Sequence, residues 1–211
     1  MTEIHTEPRR RGRPPKRQAD AFDTRDALVR CGMATLTEKG FSATGIDEVL
    51  KKVGVPKGSF YHYFESKEAF GHAAIAAYAA YFARKLDRWL LAADRPALLR
   101  IADFVDDAAA GIARHDFRRG CLIGNLGQEM SALPESYRDR LEAVFADWQA
   151  RLARCLRAAQ AEGALAPEID CEHWAAFFWV GWEGAVLRAR LKRSVEPLHC
   201  FADGFFTALG R

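Results

Sequence analysis

Apolar residues recur at intervals of three and four along most of this 211-residue chain, and nowhere do they alternate with polar ones as a half-buried strand requires. The pattern predicts an all-α protein. A first helix from about Asp23 or Thr24 to Lys39 has Leu28, Gly32 and Leu36 as its inner row, with Cys31 beside them as a small core residue. Gly40 closes it, and Phe41 is expected to pack beneath the next helix. Between Thr44 and Lys67 the pattern divides into two short helices. Ile46, Val49, Leu50 and Val53 form one stripe, with Thr44 as N-cap and Asp47 completing a capping box. Gly54 stands where the chain must turn sharply, and Pro56 suits the first turn of the following helix. That helix carries Lys57, Ser59, Tyr61, His62 and Tyr63, with little core beyond Phe60 and Phe64. Hydroxyls, aromatics and a cation on one short helix offer donors to phosphates and base edges, as the recognition helix of a helix-turn-helix must.

Longer helices follow. Ser66 caps one running from near Lys67 to about Leu91, with Phe70, Ala74, Tyr78, Tyr81, Phe82 and Leu86 on its apolar face. Others span about Pro96 to His115 and Pro134 to Glu162. Between them HDFRRGCLIGNLGQEMSALPES is irregular, with amides and glycines among apolar residues, a composition suited to a small-ligand pocket. The last helices, about Cys171 to Lys192 and Glu196 to Leu209, are apolar almost all round, so both sides must be covered. A second copy of the chain is the expected cover. Gly181, Gly184 and Ala185 permit close approach, while Trp174, Phe177, Phe201, Phe205, Phe206 and Leu209 supply the partner face.

Composition adds three points. With 49% hydrophobic residues the chain can bury a sizeable core. Residues 1–20 carry six cations against three acids, which equals the whole chain's net +3. This arm is expected to be disordered alone, and its Arg11-Gly12-Arg13-Pro14 has the form of an AT-hook core, in which Arg11 and Arg13 enter a narrow minor groove. The five cysteines are scattered without a CxxC pair, and neither a signal peptide nor a membrane-length apolar run is present. A cytoplasmic protein with free thiols is expected, without a metal or cofactor.

The stretch TGIDEVLKKVGVPKGSFYHYFESKEAF resembles the DNA-binding signature of the tetracycline-repressor (TetR) family, and ALVRCGMATLTEKGF resembles that family's first helix. Leu50 departs from the small residue common there and asks for wider packing. GCLIGNLGQEM, FFWVGWEGAVLRARL and EPLHCF resemble a subgroup of repressors that respond to acrylate or to electrophiles. The resemblance implies a basic arm (1–21), a helix-turn-helix head (22–67) and an effector-binding and dimerisation body (68–211), the long helix after Ser66 joining head to body. It implies a homodimer on double-stranded operator DNA, released by a small effector. Thr44, Lys57, Ser59, Tyr61, His62, Tyr63 and Lys67 are the candidate DNA contacts, with Tyr61 and Lys67 on phosphates. For the effector, Arg118, Arg119 and a helix start favour the Cys121 thiolate, Asn125 and Gln128 donate hydrogen bonds, and Trp148, Phe178 and Trp182 form an apolar wall. Two alternatives stand beside this: an activator on the same fold, and a small helical enzyme using His115, Cys121 and Glu129.

Overall fold

The computed structural model describes residues 18–210, with side chains from Thr24 onward. Arg11 and Arg13 lie outside the described residues. Helix α1, Gln18–Lys39, starts ahead of the expected Asp23 and takes in the last residues assigned to the arm. Gln18-Ala19-Asp20-Ala21 contains no helix breaker, so these residues are helical ahead of Asp23. Gly40 ends it in the left-handed conformation at φ 83°.

Helices α2, Ile46–Val53, and α3, Lys57–Tyr63, form the helix-turn-helix. Gly54 turns the chain between them at φ 74°, as its position predicts. The expected capping box does not form. Gly45 is the N-cap without a side-chain bond, while the Thr44 hydroxyl donates to the Gly40 carbonyl at 2.6 Å. Thr44 is thereby buried and ties the α1–α2 corner together instead of capping α2. Helix α4, Lys67–Leu90, is capped by Ser66, whose Oγ accepts the Ala69 N–H at 3.0 Å.

The body continues with α5, Ala97–Arg114, α6, Leu122–Gln128, a 3₁₀ turn at Met130–Ala132, and α7, Ser136–Ala161. It ends with α8, Cys171–Lys192, and α9, Glu196–Ala208. Its core is aromatic: Trp148 lies 4.4 Å from Phe82 and 5.0 Å from Trp179, centroid to centroid. Between α5 and α6, Asp116 and Phe117 are successive non-glycine residues at φ 51° and 54°, a conformation costing about 1–2 kcal/mol each.

Two cores share α1 and α4. Leu28, Val29, Val49, Leu50, Phe60, Phe64 and Phe70 close the head, and Leu50 is buried among them. Leu36 and Phe41 belong to the body's core. Phe41 meets Tyr137 of α7 edge-on at 5.3 Å, not the underside of α2. Gly32 permits the α1–α4 approach, since a Cβ there would stand 2.3 Å from the Phe70 ring.

Candidate DNA-binding surface and effector cavity

Helix α3 presents Lys57, Tyr61 and His62 outward. Phe60 anchors the helix in the head core, and the Tyr61 ring leans edge-on against it at 5.4 Å while remaining 57% exposed. Lys57 pairs with Asp47 at 3.2 Å, but both are well exposed, so the pair opens at little cost to reach DNA. Ser59 is half-buried, and Tyr63 packs partly on the head core. A glycine that sequence reasoning passed over, Gly58, has open space where its Cβ would be, which lets another backbone come close.

Two expected DNA contacts face inward. Thr44 is held by Gly40, as described. Lys67 donates to the Phe41 carbonyl at 2.7 Å and lies 4.4 Å over the Phe41 ring. Burial lowers its pKa. It clamps the corner beneath the head and does not stand clear for a phosphate.

In the body, a cavity of about 320 Å³ opens between α1, α4, α5 and α8, with Tyr78, Phe82, Cys121, Trp182 and Glu183 among its walls. Cys121 is buried and serves as the N-cap of α6, its Sγ accepting the Gly124 N–H at 3.4 Å. The thiol's pKa is raised well above its ordinary value, first by burial and then by the charge of Glu183. The amides of Gly124 and Ile123 pull the other way and lose. This overturns the expectation of a thiolate favoured by neighbouring arginines. Arg119 Nε donates to Glu38 of α1 at 2.8 Å, and Arg118 lies 3.9 Å from the same carboxylate, so both charges are directed away from the sulfur.

Of the other expected effector residues, Arg119 and Trp182 line the cavity. Asn125 does not; its Nδ2 donates to the Thr37 carbonyl and its Oδ1 accepts from Arg190, both at 2.8 Å. Gln128 is exposed and bonds back to the Gly124 carbonyl at 3.2 Å. Trp148 and Phe178 are buried in the aromatic core, outside the cavity wall. Nor do His115, Cys121 and Glu129 assemble into an acid, base and nucleophile. His115 is exposed at the end of α5, and both Glu129 oxygens accept backbone N–H groups, from Phe41 at 3.1 Å and Ser42 at 2.9 Å.

Two residues of the site escaped the sequence reading, Tyr78 and Glu183. Tyr78, expected only on the apolar face of α4, lines the cavity with Cys121, and burial raises its pKa well above the usual value. Glu183 is pushed up to about 7 by burial, partly offset by the Cys121 thiol. Its Oε1 is buried without a hydrogen-bond partner among the described residues. Its Oε2 occupies the place of a missing Cβ at Gly124, 1.8 Å from where that atom would be. The available signal was a single acid within the apolar run of α8 from Trp174 to Val186.

The expected dimer face is partly inward too. Phe205 and Ala185 are buried within their own chain, and Gly181 accommodates the Phe201 ring of the same chain, 2.2 Å from a would-be Cβ. Trp174 and Phe201 are half-buried. What faces outward is a stripe at helical spacing, Phe177, Val180, Gly184, Leu187 and Leu191, with Val180 76% and Leu191 71% exposed. Among the described residues no helix is long and apolar enough to cross a membrane.

Comparison with known proteins agrees with this geometry. Residues 23–74 match the tetR family of bacterial regulatory proteins, and residues 97–205 match the tetracyclin repressor-like C-terminal domain. The transcriptional regulator AcuR of Cereibacter sphaeroides is 51% identical over 93% of this chain and 89% of its own length. The repressor NemR of Escherichia coli K12 is 32% identical over 83% of this chain and 88% of its own. A TetR regulatory protein of Rhodobacter sphaeroides superposes with a TM-score of 0.84 at 51% identity, over 86% of this chain and 96% of that one. An all-helical body behind an outward-facing α3, together with these matches, shows that the chain belongs to the TetR family of DNA-binding transcriptional regulators.

Proposed function

We propose that the protein is a homodimeric repressor that leaves a pseudo-palindromic operator when a small unsaturated, electrophilic molecule such as acrylate enters the Cys121 cavity. In the dimer, the Val180–Leu191 stripes of two copies cover each other, and two α3 helices enter successive major grooves about 34–36 Å apart. Lys57 and His62 are the candidates for base edges and Tyr61 for a phosphate, with Arg11 and Arg13 of the arm reaching the minor groove.

The observation that carries this reading is the way the cavity's edge is tied to the head. Arg119 holds Glu38, Asn125 holds the Thr37 carbonyl, and Glu129 holds the amides of Phe41 and Ser42. Movement of α6 on ligand entry is thus passed to the end of α1 and the corner before α2. The names of the relatives support repression, since NemR is described as a repressor.

A gel shift on the chain's own upstream DNA tests the proposal. Specific binding in the nanomolar range and release by acrylate or N-ethylmaleimide are expected. Specific binding that neither compound relieves removes the effector assignment. Tighter binding on adding the ligand would make it a corepressor.

A further inference from the structure

We propose that the Glu183 carboxylate is the proton acceptor for the Cys121 thiol, so that the cavity carries its own base for capturing electron-poor alkenes. This rests on the reading of the Cys121 cavity as the effector site and adds the chemistry by which that site works.

A buried thiol reacts slowly because the thiolate is the nucleophile, and burial here opposes its formation. The arginines beside Cys121 do not relieve this, being directed to Glu38. Glu183 does. It lines the same cavity from α8, with Oε2 set against Gly124, whose own N–H bonds to the Cys121 sulfur at 3.4 Å. Its Oε1 lacks a partner among the described residues although it is buried, an arrangement that costs stability and leaves an acceptor free in the site. Gly124 reinforces the placement, because the carboxylate fills the space a side chain would take. Tyr78 lines the same cavity from α4.

Other charged groups line the same cavity without displacing this pair. Lys85 is engaged by Asp107 at 2.8 Å and Arg119 by Glu38 at 2.8 Å, while Arg30, Arg114 and His115 lie exposed at the mouth. Arg190 leans over Gly120 and bonds to Asn125.

The step balances without a further reagent. Cys121 Sγ forms a bond to the β-carbon of the alkene as its proton passes to Glu183. The π electrons move to the α-carbon, stabilised by the electron-withdrawing group. Glu183 then returns the proton to that carbon, leaving a saturated thioether and the carboxylate restored. Nothing is oxidised, and no group leaves. Because Glu183 titrates at about 7, the capture rate is expected to rise through neutral pH and then level, although the thiol alone ionises far higher.

The test is the rate of Cys121 modification by N-ethylmaleimide, followed site by site with mass spectrometry from pH 5.5 to 9.5. Native protein, Glu183→Gln and Glu183→Asp are compared after each has been shown to bind operator DNA. Native Cys121 should show an inflection near pH 7. Glu183→Gln should be at least tenfold slower at pH 7.5 and climb only in alkali, while Glu183→Asp, which keeps an acceptor, should retain an inflection near neutrality. Equal rates and profiles in native protein and Glu183→Gln overturn the proposal and leave Cys121 as the sensing residue. Loss of the inflection in Glu183→Asp overturns it as well. Should the exposed Cys200 be labelled at every pH and Cys121 at none, the Cys121 reading itself falls, and the acceptor role with it.

Discussion

At the scale of single residues, the decisive feature is where a charge points. Arg118 and Arg119 adjoin Cys121 in the chain, which suggested a lowered thiol pKa, but adjacency in sequence does not fix direction, and both turn to Glu38. The acid that governs the thiol lies 62 positions away and becomes its neighbour only when α8 packs against α6. Glu183 also leaves a signature in stability. Its folded pKa of about 7 lies above its ordinary 4.5, so the native state holds the proton more tightly than the unfolded chain. Stability from this group is therefore complete below about pH 4.5, declines as pH rises, and reaches its full deficit of roughly 3 kcal/mol above pH 7. Glu183→Gln, neutral throughout, should melt at a higher temperature than the native chain at pH 8, and the gap should close by pH 4.5. Thermal melts across that range check it. On the DNA side, His62→Ala should cost about 1–3 kcal/mol of operator binding with little change on unrelated DNA. Equal losses on both would make His62 a phosphate contact.

At the scale of elements, periodicity was a good guide where a helix has one clear face. Helices α2, α3 and α4 lie close to their expected bounds, and Gly54 and Ser66 act as their chemistry demands. Caps were less legible, because the Thr44 hydroxyl donates to the Gly40 carbonyl behind it instead of accepting from an amide of α2. The fate of Lys67, Asn125 and Glu129 was hidden for a related reason. Each bonds to backbone from another element, and backbone groups carry no label in a sequence. The same bonds define a testable linkage from α6 to the head. Glu129→Ala should leave operator affinity within about threefold of native while raising the effector concentration for half-release by roughly tenfold, a coupling loss of about 1.4 kcal/mol. Fluorescence-anisotropy titration of labelled operator against effector measures both quantities. An unchanged half-release would assign the transmission to α4 alone.

At the scale of the molecule, the apolar excess of α8 was visible in the sequence, but not which side serves which purpose. Phe205 and Ala185 turned out to close the chain's own core, leaving Val180 and Leu191 outermost. Val180→Arg combined with Leu191→Glu should yield a folded monomer by sedimentation, with operator affinity falling by two orders of magnitude or more as the second half-site is lost. A dimer that survives both changes would place the subunit contact elsewhere. The division of α1 between two cores bears on how such proteins can be recombined. Leu28 and Leu36 are about two turns apart, yet one serves the DNA reader and the other the sensor. A hybrid biosensor spliced at the start of α4 would carry off Leu36, Glu38 and Phe41, the sensor's own floor. The splice that keeps both halves whole leaves α1 and Phe41 with the sensor and exchanges residues 42–66 as a cassette, with Leu28 and Val29 rematched to the incoming helices.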